Sequence, residues 1–209
     1  MYDFIAIEGC IGAGKTSLAT LISKQFGAKL ILEGFEDNPF LPKFYQEPGK
    51  YAFPLELSFL ADRYSQLKNQ LIPQEIFSPF TVSDYYIIKS LIFAQKTLET
   101  DELNLYSRLF SIINSTLPKP DLLVYLYVDI DRLQRNIRKR GRSYEQNIED
   151  VYLEKIQQGY FDFIRQQQDM RILVMDTNEV DFVNRTEDYE RILEIITKEH
   201  KTGVTRISL

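Results

Sequence analysis

The chain has 209 residues, 44% of them hydrophobic and 26% charged, which is the balance of an ordinary globular protein and the length of one α/β domain. A formal net charge of −5 argues against a protein that coats nucleic acid, which needs a broad basic surface. The single cysteine, Cys10, excludes an intrachain disulfide and suits the cytoplasm, while no basic leader or apolar run of ~20 residues points to export or a membrane.

In chain order, five short apolar runs read as strands: Phe4–Ile7, Lys29–Leu32, Phe80–Ser83, Leu122–Val128 and Arg171–Met175. Each is continuous rather than alternating, as in strands covered on both faces. Helical stretches separate them. Lys15–Phe26 follows the first strand. After the second, an irregular segment punctuated by Pro39, Pro42, Pro48 and Pro54 leads to a helix over Phe53–Leu71. Ile87–Glu99 and Glu102–Ser115 follow the third strand, Ile130–Arg140 and Ile148–Gln168 the fourth, and Arg185–Thr197 the fifth. This alternation predicts a doubly wound, five-stranded parallel sheet in one domain. From about His200 the chain reads as a frayed tail, with His200 at the surface.

Gly9-Cys10-Ile11-Gly12-Ala13-Gly14-Lys15-Thr16 satisfies G-x-x-x-x-G-K-S/T at every fixed position. It also has the strand before and the helix after that the motif requires. Glycines let backbone N–H groups converge on phosphate oxygens, and the helix N-terminus adds partial positive charge. In such a loop Gly9, Gly12, Ala13, Gly14, Lys15, Thr16 and Ser17 hold the phosphates of ATP. Lys15 reaches the β- and γ-phosphates, and the Thr16 hydroxyl is a ligand for Mg²⁺.

Four segments in order, IAIEGCIGAGKTSLA, LEGFEDNPFLPKFYQEPGKYAFPLELSFLADRYSQ, PKPDLLVYL and KRGRSYEQNIEDVYLEKI, together resemble the deoxynucleoside kinase family over about Asp3 to Val183. The resemblance implies a P-loop NTPase fold of the nucleoside monophosphate kinase-like type with a helical lid at about 138–147. It implies transfer of the γ-phosphoryl group of ATP, with Mg²⁺, to the 5′-hydroxyl of a deoxynucleoside, and a homodimer formed through a helix pair. A neutral hydroxyl benefits from a general base. Glu33, at the end of the second strand, matches the family's catalytic carboxylate, although Gly34 stands where the family has proline. Tyr45 and Glu145 match residues that hydrogen-bond the sugar 3′-hydroxyl. Arg140 and Arg142, within the basic run after Ile137, match the lid arginines that clamp the transferring group. Asp84 ends the third strand where the family has an acidic residue near Mg²⁺ and the nucleoside.

Departures from the family pattern are specific. Tyr85 and Tyr86 replace the arginine and serine that follow the acid, and Lys89 or a lid arginine is available to substitute. Ser90 and Leu91 replace a further acid and arginine. The base-reading position is Glu56 rather than glutamine. Arg63 matches a base-contacting arginine seven residues on, on the same helix face, where the two could pair. An ionised Glu56 offers only acceptors and so favours a purine with adjacent donors, deoxyguanosine ahead of deoxyadenosine. Two alternatives stay open: a thymidylate-type monophosphate kinase, and a non-catalytic nucleotide-binding scaffold.

Overall fold

The computed structural model describes residues 2–34, 38–71 and 78–209. Among these lie six strands: β1 (Phe4–Gly9), β2 (Lys29–Ile31), β3 (Thr81–Ser83), β4 (Leu122–Tyr127), β5 (Arg171–Asp176) and β6 (Gly203–Ser208). They form one sheet in the order β2-β3-β1-β4-β5-β6, and every pairing is parallel. The helices are α1 (Lys15–Phe26), α2 (Leu41–Gln46), α3 (Pro48–Leu71), α4 (Ile88–Thr97), α5 (Thr100–Asn114), α6 (Ile130–Arg140), α7 (Asp150–Gln166) and α8 (Thr186–Thr197). β1 and most of β4 and β5 are buried, as the continuous apolar runs require. Because β2 and β3 lie on one side of β1 and β4 on the other, the carboxyl end of β1 is a topological switch point, where such sheets place their ligands.

Two expectations are corrected. The sheet has six strands, not five, and the tail from His200 is not frayed: β6 pairs with β5 from Arg171↔Gly203 to Asp176↔Ser208. Its side chains alternate between half-buried and exposed, the pattern of an edge strand with one covered face, so no apolar run marks it. The tail is tied down by Arg171, which donates to the His200 carbonyl, and by the His200 N–H, which donates to the Tyr2 hydroxyl at 2.7 Å; His200 is half-buried. The proline-rich segment is also more regular than expected. Pro42 sits in the first turn of α2, Pro48 opens α3, and Pro54 lies inside it. A mid-helix proline costs ~3 kcal/mol. Burial of Leu55, Phe59, Leu60 and Leu67 on one face, at ~1.5–3 kcal/mol each, outweighs it. Phe44 of α2 packs with Ala52, Leu55 and Phe59 of α3 in a small second core, and this core forms one wall of the site.

Candidate active site

The loop between β1 and α1 takes its shape from glycine. Gly12 and Gly14 have φ of 86° and 91°, a region that L-residues avoid. A Cβ on Gly14 would also lie 2.8 Å from the Phe182 ring. Gly12, Ala13, Gly14, Lys15, Thr16 and Ser17 line an open groove of ≈ 1440 Å³, with α6 on one side and the segment after β5 on the other. Gly9 lies at the foot of the loop, where its carbonyl and that of Cys10 each accept from Lys15 Nζ at 3.0 Å. Burial lowers the Lys15 pKa to about 8 and the Lys89 charge adds to this, against the opposing pull of Glu8, Glu33 and Asp84. Cys10 is buried, and burial pushes its thiol up to about 11, so it is an inert filler of the loop.

The ends of β2 and β3 bring two carboxylates beside this loop. Asp84, one residue past β3, accepts the Thr16 hydroxyl at 2.5 Å through one oxygen and the Glu33 N–H at 2.8 Å through the other. Among the described residues no cluster of three His, Cys, Asp or Glu forms a metal cage. The Thr16 hydroxyl and Asp84 carboxylate instead form a pair of hard oxygen donors. That suits a cation such as Mg²⁺, which takes most of its ligands from phosphate and water. The Glu33 side chain is 8% exposed and held by two cations: Arg63 Nε and Nη2 reach Oε1 at 2.8 and 2.7 Å, and Lys89 Nζ reaches Oε2 at 2.5 Å. Burial alone would raise the Glu33 pKa, but Lys89 and Arg63 outweigh it and hold the carboxyl at about 2.

Beyond Glu33 a second cleft, with ≈ 730 Å³ of empty space, runs between α2, α3, α4 and the end of α6. Phe44, Leu55, Phe59, Phe93 and Tyr152 supply apolar walls. Tyr45, Glu56, Arg63, Asp84 and Glu145 also line it, so the structure brings these sequence-selected residues together. Tyr45 stacks on Tyr144 with ring centroids 6.2 Å apart. Arg140, at the end of α6, and Arg142, just beyond Gly141, both pair with Glu145, which lies in a 3₁₀ turn over Ser143–Glu145.

Glu56 and Arg63 share the buried face of α3 but do not pair with each other. Arg63 is drawn to Glu33 and donates its Nη1 to Ser90 at 2.8 Å. Ser90 therefore partners this guanidinium from α4. Among the described residues Glu56 accepts only from Thr97, at 3.0 Å, and its Oε2 has no hydrogen-bond partner. Burial raises its pKa to about 7 against the opposing effect of Arg63. Tyr85, in the family arginine's position, is fully buried and donates to Gln66. Lys89, four residues after Tyr85, joins Arg63 as a cation beside Glu33.

Three supporting residues have no local signature. Glu8, one residue past the apolar run Phe4–Ile7 and inside β1, accepts the Tyr86 N–H at 2.7 Å and the Tyr160 hydroxyl at 2.8 Å, which ties the β3–α4 turn to β1. Arg132 donates to the carbonyls of Thr177, Asn178 and Val180 and so braces the segment after β5. Asn136 donates to the Gly12 carbonyl at 2.8 Å. These bonds span between 45 and 152 residues of sequence.

A phosphate-cradling loop whose lysine and threonine face both a nucleotide-sized groove and an apolar acceptor cleft defines a phosphotransferase of the P-loop class. The family profile described as Deoxynucleoside kinase matches residues 5–201, and the chain belongs to that family. Its activity is accordingly phosphoryl transfer to an alcohol acceptor. The chain is 40% identical to a deoxyguanosine kinase of Bacillus subtilis (strain 168) over 193 residues, covering 90% of this chain and 93% of that one. It is 34% identical to a deoxyguanosine kinase of Lactobacillus acidophilus, covering 94% and 90%. Among solved structures it resembles deoxyadenosine kinase from M. mycoides with its products dCMP and a flexible dCDP bound, at a TM-score of 0.80 and 28% identity, covering 92% and 98%. These similarities do not favour a thymidylate-type kinase or a non-catalytic scaffold. No helix among the described residues is long and apolar enough to cross a membrane.

Proposed function

We propose that this enzyme transfers the γ-phosphoryl group of ATP to the 5′-hydroxyl of a purine deoxynucleoside, with deoxyguanosine ahead of deoxyadenosine. The observation that carries the reading is the meeting of the two clefts: Lys15, Thr16, Arg140 and Arg142 line both of them. ATP occupies the groove along the P-loop, with Gly12, Ala13, Gly14 and Ser17 around its phosphates and Gly9 setting the turn. The deoxynucleoside occupies the apolar cleft.

In this reading Glu33 accepts the hydrogen bond of the 5′-hydroxyl and takes its proton as the new P–O bond forms. A carboxylate held at about 2 is a weak base. Phosphoryl transfer passes through a loose transition state, so orienting the hydroxyl matters more than base strength. Lys15 binds the β- and γ-phosphates. Arg140 and Arg142 leave Glu145 in part to meet the charge on the transferring group, and Glu145 and Tyr45 then bind the sugar 3′-hydroxyl. Lys89 supplies the positive charge beside Glu33. Mg²⁺ brought with ATP would be held by Thr16 and Asp84, and it neutralises phosphate charge when bound.

Base choice rests on Glu56. Its unpartnered Oε2 calls for a donor from the ligand, and ionised Glu56 suits the N1–H and 2-amino edge of guanine. Arg63 acts chiefly by holding Glu33. The deoxyguanosine kinases of Bacillus subtilis and Lactobacillus acidophilus support the same order of preference.

The proposal includes a homodimer. Leu105, Leu109 and Ile112 are exposed at helical spacing on α5, and Leu57 is exposed on α3, which packs against α5. It also includes a cytoplasmic location, since the free, buried thiol of Cys10 asks nothing of an oxidising compartment.

The direct test is Lys15→Ala. Phosphorylation of deoxyguanosine should be lost while deoxyguanosine binding and the circular dichroism spectrum persist. Activity within about tenfold of wild type would remove Lys15 from its role, since such electrostatic contacts are worth ~10²–10³-fold.

A further inference from the structure

Thr97, at the last turn of α4, has one hydroxyl proton and two acceptors within reach. Its Oγ1 lies 3.0 Å from Glu56 Oε1 and 3.0 Å from the carbonyl of Phe93. A hydroxyl donates once and can accept as well. When Glu56 is ionised, Thr97 can give its proton to Oε1. When Glu56 carries a proton on Oε1, the acid can donate to Thr97, whose own proton turns to the Phe93 carbonyl. Thr97 is therefore a partner for either form of the carboxyl group, which a lysine or a backbone N–H would not be.

The other oxygen, Oε2, is buried without a partner, on a residue that lines the acceptor cleft. Such an atom is satisfied by a donor from the ligand or by a proton of its own. Around Glu56 stand Arg63 on its own helix, Glu33 beyond β2, Lys89 on α4, Tyr106 on α5, Tyr45 on α2 and Tyr152 on α7. The Tyr106 hydroxyl meets the backbone carbonyl of Glu56 at 3.3 Å, not its carboxylate. Both nearby cations are bound to Glu33. At the cleft mouth Arg140 and Arg142 are paired with Glu145. Burial is thus the largest influence on Glu56 and holds it at about 7, so both forms exist near neutral pH.

Resting on the deoxynucleoside-kinase reading above, we propose that Glu56 and Thr97 make the choice of nucleobase depend on a proton. With Glu56 ionised the cleft selects a base edge of adjacent donors, as on guanine. With a proton on Oε2 it selects an edge with an acceptor beside a donor, as on adenine, and Thr97 hydrogen-bonds Oε1. Thr97 is a positioning residue that sets the pH at which one preference gives way to the other.

The test is a competition between deoxyguanosine and deoxyadenosine at saturating ATP and Mg²⁺, run from about pH 5.5 to about pH 9. Both substrates compete for the same enzyme, so titration of ATP, Lys15 or Glu33 cancels in the ratio of their kcat/KM values. That ratio should rise with pH by at least about tenfold, because each pH unit changes the balance of the two forms tenfold. Glu56→Gln should flatten the profile. Thr97→Val removes a hydrogen bond that favours the ionised form and should move the rise to higher pH. Thr97→Ser should restore it, and with the wild-type profile keeps the test independent of whether valine is tolerated. A wild-type ratio constant within about twofold across the range overturns the proposal and leaves the kinase reading intact. Failure to phosphorylate any deoxynucleoside overturns both.

Discussion

Replacing Glu33 by glutamine keeps the shape of the side chain and removes its charge. The substitution leaves Lys89 and Arg63, 10% and 4% exposed, facing a neutral amide. Two effects of different size follow. The first is on stability. Holding the Glu33 carboxyl at about 2 rather than 4.5 is worth ~3 kcal/mol in favour of the ionised form. Its folded pKa is depressed, so this contribution is fully present above pH 4.5 and is lost as pH falls towards 2. Glu33→Gln should therefore lower the unfolding free energy in urea at neutral pH by up to ~3 kcal/mol and remove that part of the acid dependence. The second effect is on catalysis. General bases contribute ~10²–10⁴-fold, and a carboxylate held this acidic belongs at the lower end, so kcat should fall by about 10²-fold with little change in ATP affinity. Assays of kcat at saturating substrates, well below the unfolding transition, separate the two. A kcat within about threefold of wild type would eliminate Glu33 as the group that receives the 5′-hydroxyl. A loss of activity that only tracks the unfolded fraction would do the same.

Other outcomes follow from the same geometry. Arg140→Ala and Arg142→Ala should each lower kcat more than they raise KM for deoxyguanosine, because these side chains exchange Glu145 for charge that grows in the transition state. Effects on KM alone would assign them to ground-state binding. Sedimentation velocity should show a dimer for the wild type and a monomer for Ile112→Asp, which puts a charge at the 66% exposed, C-terminal end of the α5 stripe. A wild-type protein that stays monomeric at every concentration would contradict the homodimer.

What could be read from the sequence was whatever depends on local pattern. The P-loop carries its geometry in eight consecutive residues. α1 and α6 have the predicted bounds, because glycine stops each and apolar spacing fills each. β6 escaped because an edge strand with one covered face alternates, and six such residues after a helix look like a tail. The start of α3 escaped because proline is a poor signal when it occupies a first helical position or when core burial overrides it. Within the site, Glu33, Tyr45, Glu56, Arg63, Asp84 and Glu145 line one cleft, but their partners were not legible. Arg63 and Glu56 are seven apart on one helix and could have paired. The outcome was decided by Glu33 and Ser90, brought from 30 residues before and 27 residues after Arg63. Lys89 reaches Glu33 across 56 residues, a contact that only the parallel order of β2 and β3 creates. Glu8, just past the predicted first strand, proves to be a buried carboxylate that anchors the turn after Asp84.

In the proposed reaction the phosphoryl group passes from the P-loop groove directly to a hydroxyl in the apolar cleft. Incubating the enzyme with Mg²⁺, ATP labelled in its γ-phosphate, and equal amounts of deoxyguanosine and dGMP tests it most directly. Label is expected in dGMP, on the 5′-oxygen, with little in dGDP or inorganic phosphate. Label that accumulates first in dGDP, or only in inorganic phosphate, would contradict it.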